Sequence, residues 1–264
     1  HGSCDRADWL HLSGTPTITS NGAVAVLTLT SAERIDVNGG SLSVSGTASF
    51  NGGLTLSDGT LTIAGTATVN QSLDWTSGTI NGSGTTTVVN TATLTISTGS
   101  GKSLDAHTLV NNGTATLSGA NLAFNSSALF DNNGTFNATD GAGLTRTNGT
   151  PTFQNDGTFN KSGAGTTTHV SGNVAFSNPG TVNVASGIFQ VFGAIPQHSG
   201  TTLTGGTWSV TDTLILDAGS NITTNQGSVT LNGSAATFAK FTGSVTSNPG
   251  SLTIANRSFV TPAG

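Results

Sequence analysis

The chain is short of charge, and of much else. Only 7% of its 264 residues are Asp, Glu, Lys or Arg, against about 25% in ordinary soluble domains. Glutamate occurs once, at Glu33, and lysine is nearly absent. Strong helix formers are therefore missing, while Thr, Val, Ile and Phe are in supply, so almost no helix is expected. Lys and Arg total 7, with no basic cluster and a net charge of −5, so no nucleic-acid partner is expected. No run approaches the ~18 apolar residues of a membrane-spanning helix. A single cysteine, Cys4, rules out a disulfide framework and leaves either an intermolecular partner or a free thiol. There is no tyrosine, a residue that binding surfaces usually want. There is no methionine either, so the chain does not begin at its initiator: a leader was removed or the chain was trimmed. His1-Gly2-Ser3 reads as a tag remnant or as a mature N-terminus.

What is present is a returning phrase. It runs Asn111-Asn112-Gly113-Thr114, Asn132-Asn133-Gly134-Thr135, Asn155-Asp156-Gly157-Thr158 and Asn178-Pro179-Gly180-Thr181. The glycines recur every 21 to 23 residues, a period that signals stacked repeats. Each unit is too small to bury its own apolar face, so neighbours must stack to form a core. Between residues 40 and 69, shorter units of six or seven residues alternate apolar Leu42/Val44, Leu54/Leu56, Leu61/Ile63 and Ala67/Val69 with Ser or Thr. A strand of four or five residues plus a tight turn fits that spacing, and three make one coil. Asn in the corners is suited to side-chain ladders between coils.

The fold class expected is all-β: a parallel β-solenoid of about ten to twelve coils, with about three short strands per coil of roughly 20 residues. Residues 1–22 break the pattern and read as an N-terminal cap or lead-in segment, and 23–264 as the repeat domain. Phe136 and Phe159 hold the same place in successive repeats, followed by Val182, so they should lie in the core. Trp75 and Trp208, in related phrases, are read as core residues rather than sugar-stacking ones. The pattern loosens at Ile195-Pro196-Gln197-His198, and no cap is evident after Phe259.

Candidate chemistry is sparse. Gly99-Ser100-Gly101-Lys102-Ser103 resembles the end of a phosphate-binding loop, but the motif's first glycine is replaced by Ile96 and no helix follows. It reads as a corner. The five His lack metal-ligand spacing, so no cofactor and no metal are expected; copper at His1 is the one remaining thought. Asp131, Asp140 and Asp156 form the only nearby acidic set. Asp131 and Asp156 are read as corner residues about one coil apart, where Asp readily replaces Asn. Catalytic residues are expected to be none, and the chain is expected not to be an enzyme. Thr60/Thr62, Thr66/Thr68, Thr85/Thr87 and Thr93/Thr95 look like the start of an ice-binding array, but later coils substitute Asn and Lys, as at Asn160-Lys161.

The phrase from Leu73 to Val88 (Leu-Asp-Trp-Thr-Ser-Gly-Thr-Ile-Asn-Gly-Ser-Gly-Thr-Thr-Thr-Val) and the Asn-x-Gly-Thr series resemble the β-solenoid repeats of large bacterial cell-surface proteins, of the adhesin and autotransporter-passenger kind. The resemblance covers roughly residues 40–255. It implies a secreted or cell-surface scaffold with no catalytic residues. The leading expectation is an extracellular structural or adhesive module, self-associating end to end into a filament or meeting a cell-surface or glycan partner. Cys4 and Trp9 are its expected intermolecular contacts. The alternative is a polysaccharide-binding or polysaccharide-degrading β-helix protein, with ice binding third.

Overall fold

The computed structural model describes residues 10–12, 18–20, 22–99 and 101–260. Cys4 and Trp9 lie outside the described residues. The chain winds as a parallel β-solenoid of about 11 turns, with no helix among the described residues. Three sheets of nine, twelve and eleven strands form its faces. We call them first, second and third; they begin at Leu10–Leu12, Ile18–Ser20 and Ala23–Val26. At ~4.8 Å per strand, the twelve strands of the second sheet make a rod about 50 Å long. The ladders run into the segment before residue 23: Leu10–Leu12 pairs with Leu29–Ser31, and Ile18–Ser20 with Ile35–Val37. After Ala175–Ser177 the first sheet ends, and a three-stranded sheet at His198–Ser199, Thr202–Leu203 and Thr224–Asn225 takes its place. Its one antiparallel step, His198 against Leu203, falls beside the interruption seen in the sequence.

Period-two alternation sets which residues go inside. On the second sheet one inward column runs Leu54, Leu73, Leu94, Ala115, Phe136, Phe159, Val182, Trp208, Val229, and all are buried. Phe136 and Phe159 pair in register and stack at 5.2 Å, 15° from parallel. A second ring column, Phe130, Phe153 and Phe176, stacks from the first sheet at 5.0 and 5.7 Å. The two columns meet edge to face: Phe153 lies 5.0 Å from Phe136 and 5.8 Å from Phe159. Trp75 and Trp208 are fully buried, and each indole N–H donates to a corner carbonyl, of Gly78 at 3.1 Å and Gly205 at 3.0 Å.

The Asn-x-Gly corners pack by two devices. A Cβ on Gly134, Gly157 or Gly180 would sit 2.1, 2.1 or 2.3 Å from a backbone oxygen of the coil before, so only glycine allows that approach. Beside them runs a buried asparagine ladder. Asn111, Asn132 and Asn155 each donate Nδ2–H to the Oδ1 of the next Asn, at 2.8, 2.7 and 2.7 Å, ending on Asn178. The same amides also donate to the carbonyls of Thr135, Thr158 and Thr181. The ladder starts where Asn111 faces Val88, so the Oδ1 of Asn111 is buried without a donor.

Ionisable residues inside the coil are held by backbone. Lys161 occupies an inward position between Ala138 and Val184. Its Nζ donates to the carbonyls of Asp140 and Ser162 and to Thr166 Oγ1. The sequence had read Lys161 as interrupting an outer face; the alternation instead turns it inward. Burial lowers its pKa, opposed by the nearby carboxylates of Asp140 and Asp212. His107 is buried, with Nδ1 3.0 Å from the Gly82 carbonyl and Nε2 2.9 Å from Thr86 Oγ1. A neutral ring fits both, donating from Nδ1 and accepting at Nε2. Burial lowers its pKa from 6.5, opposed by the Gly82 carbonyl. The unfolded chain therefore protonates first as pH falls. Stability from His107 is expected to be fully present above about pH 6.5 and to decline below it. His198, lowered by burial and then by Lys240, adds a loss of the same sign. Urea titrations at about pH 7.5 and about pH 5 check this. His107→Gln should flatten the dependence, and an unchanged slope would remove His107 as its cause.

Candidate functional site

The most regular surface is the outer face of the second sheet. Alternation that buries one set of residues must point the other set outward. The first outward rank reads Thr93, Thr114, Thr135, Thr158, Thr181, Thr207, Ser228, Ser251, all in register. The second, two residues along, reads Thr95, Thr116, Asn137, Asn160, Asn183, Ser209, Thr230, Thr253. All are exposed or half-buried. Across these eight strands neither rank carries a charge. Strand spacing sets the lattice at about 4.8 Å along the rod and about 6.6 Å between ranks. Asn160 Nδ2–H donates to Asn137 Oδ1 at 3.0 Å, and Asn183 Nδ2–H to Asn160 Oδ1 at 3.3 Å, so the amides of the second rank are pre-aligned.

The charges of this face gather at its N-terminal end. Arg34 reaches across two coils. One of its Nη groups donates to Thr55 Oγ1 at 2.8 Å and Asp74 Oδ2 at 2.7 Å. The other donates to Ser72 Oγ at 2.7 Å and to the same carboxylate oxygen at 2.6 Å. Both partners are a third or more exposed, so this ion pair positions the first coils more than it stabilises them.

The acidic set does not converge. Asp131 stands within its strand, opposite Gln154, and not in the corner. Asp156 is in the next corner, where Gln154 Nε2–H donates to it. The two are close enough that Asp156 helps raise the pKa of Asp131, though burial is the larger cause and a hydrogen bond from Asn133 opposes both. Asp140 sits at another corner, between the second and third sheets, accepting from the backbone amides of Gly119 and Ala142. Lys102 is buried and donates to the carbonyls of Ser97 and Gly99, both at 2.6 Å, so it is committed to its own corner. Among the described residues no three His, Cys, Asp or Glu side chains gather as a metal would require, and no helix is long and apolar enough to cross a membrane.

The chain matches no protein-family model, no curated protein and no solved structure. The reading of its use rests on its own geometry.

The two outward ranks were half visible in the sequence. The Asn-x-Gly-Thr phrase marks the first rank directly, since its Thr is always the first residue of the strand. The second rank was obscured because it changes from Thr to Asn at residues 137, 160 and 183 and to Ser at 209.

Proposed function

We propose that the chain is a rigid binding rod, an extracellular or cell-surface adhesive module that docks through the outer face of its second sheet. The observation that carries this reading is the uncharged double rank from Thr93 to Thr253. A face of hydroxyls and amides meets a neutral polyhydroxyl surface without desolvating charge. β-Branched threonine has few χ1 states to lose, so ordering it on contact costs little. A neutral glycan is the partner that this chemistry fits. The rod is read as working by binding rather than catalysis: Asp131 stands within its strand opposite Gln154, Asp156 in the corner that follows the next strand, and Asp140 is spent on backbone amides. Turnover of a glycan panel that is lost on Asp131→Asn would overturn that part.

Solid-phase binding to insoluble neutral polysaccharides tests the main reading. Thr135→Lys with Thr158→Lys places two charges in the middle of the first rank without touching the core. Binding is expected to fall at least about tenfold, since each ammonium must be desolvated on contact. Undiminished binding by that variant would move the docking surface elsewhere.

A second reading is favoured by one observation: six consecutive threonines hold one register from Thr93 to Thr207. Such a flat lattice can also order water, as an ice-binding face does. Thermal hysteresis that vanishes in the same double-lysine variant would select ice as the ligand over glycan. End-to-end association is the remaining partner of the rod. Among the described residues, the outer edge of Ser251–Ala255 takes no strand, and such an edge recruits another. Sedimentation across a concentration series decides it.

A further inference from the structure

One inward column of the third sheet loses its apolar filling part-way along the rod. Phe124 is buried in the core, and the residue paired with it in the next coil is Arg146. The next coil pairs Leu144 with Val170, and the one after pairs Val170 with Val191. Counting on two residues from each places Gly172 and then Gly193 beyond Arg146. The column that runs through Leu61, Ile80, Leu104 and Phe124 thus passes to a guanidinium and then loses its side chains. The result is a groove of about 320 Å³ at the corner between the third and first sheets, lined by Arg146, Thr150, Pro151, Asn173, Val174 and Ala194.

Arg146 differs from the other described cations. Arg34 is paired with Asp74. Lys102, Lys161, Lys240 and Arg257 donate to backbone carbonyls. The Arg146 side chain has no hydrogen bond and no ion pair among the described residues, and its Nε–H is shielded from solvent; Arg257 also leaves Nη1 buried and unpaired but donates through Nε. A buried donor left unpaired is costly, so its presence needs a reason.

We infer that this groove binds the carboxylate of an acidic sugar, a uronate residue of a glycan, with Arg146 as the recognising cation. The end of the guanidinium offers one N–H from each Nη as a parallel pair, a geometry that a carboxylate accepts bidentately. The volume suits one sugar ring, at the small end of ligand pockets. Ala175 and Ala194, both exposed, present C–H surface to the flat of the ring, while Pro151 and Val174 are buried. The Thr150 hydroxyl and Asn173 amide stand ready for its hydroxyls. A peptide is the poorer fit, because the backbone amides here are already used. Thr150 N–H donates to Ser126 O, Thr152 N–H to Ala128 O, and Ala175 N–H to Pro151 O. These three amides are therefore closed to an incoming chain. This site is on a different corner from the uncharged face, so either can fail without the other.

Calorimetric titration of the whole chain with sodium glucuronate and a uronate disaccharide tests the inference. Glucose serves as neutral control, inorganic phosphate as anion control, and a short peptide with a free C-terminal carboxylate as the third arm. Saturable binding of the uronates is expected, with glucose and phosphate at least tenfold weaker. Arg146→Gln should lose at least tenfold in affinity, and Arg146→Lys nearly as much, because the bidentate pair is gone. Gly172→Leu keeps the cation and fills the groove. A Cβ there meets nothing closer than Phe192 Cβ at 3.6 Å, so this variant should fold and fail to bind. Equal binding of phosphate or of the peptide would overturn uronate recognition. So would uronate binding that survives both Arg146→Gln and Gly172→Leu, or no uronate binding by the unaltered chain.

Discussion

Phe153→Ala is expected to lower the free energy of unfolding by about 3–5 kcal/mol, the range for emptying a buried phenyl site that cannot collapse. Phe153 is the centre of the ring cluster. It stacks on Phe130 and Phe176, meets Phe136 and Phe159 by their edges, and reaches Phe124 at 6.5 Å. The surrounding coils are pinned by ladders on three sides, so they cannot close around the missing ring. Phe136→Ala and Phe159→Ala should fall in the same range, each removing one ring of a stacked pair. Denaturant titration of the three variants measures this. A loss below about 1 kcal/mol for Phe153→Ala would mean the core repacks there and the rings are not the spine of the middle coils.

The second large effect is expected from the asparagine ladder, and its size should depend on position. Asn132→Leu takes the only ladder donor from Asn155 Oδ1, removes one donor to the Thr158 carbonyl, and takes the ladder acceptor from Asn111. Two or three buried groups lose partners at ~1–3 kcal/mol each, so a cost of about 3–5 kcal/mol is expected. Asn111→Leu should cost less, by about 1–3 kcal/mol. The Oδ1 of Asn111 is already unpaired, so shortening the ladder from that end moves the orphaned acceptor one coil along without adding another. Equal losses at the two positions would show that the cost does not depend on place in the ladder.

The fold was legible because two periods agreed: the 21 to 23 residues between corner glycines and the two-residue alternation inside each strand. Both follow from steric rules that act locally. Glycine is needed where coils approach, and apolar residues are needed where the chain faces the axis. The ring column Phe130, Phe153 and Phe176 was as periodic as Phe136 and Phe159 but went unread, because its strands do not begin on the Thr of the Asn-x-Gly-Thr phrase. Lys161 misled for a related reason. Its type argues for the surface and its register for the core; register won because the long side chain reaches carbonyls at the corner. The candidate surfaces were harder to see. The charge-free double rank depends on two positions staying in register through eight strands despite insertions in the coils. The Arg146 groove depends on what is missing from Gly172 and Gly193, and on a pairing shift between Leu144 and Val170 that no sequence period marks.

The repeated corner makes the rod a ruler with discrete marks. Gly134 leans on the coil of Gly113, Gly157 on that of Gly134, and Gly180 on that of Gly157, through the same contact each time. Cutting the chain after Gly134 and rejoining it at Thr158 would remove one whole turn and restore the same Asn-x-Gly-Thr junction. The ladders, the asparagine row and both ring columns would each shorten by one rung and close again. Length in such a molecule can change by gain or loss of a turn, ~4.8 Å at a time, with no new interface to invent. The outward lattice, and therefore the reach of the rod across whatever it covers, would grow or shrink in the same steps.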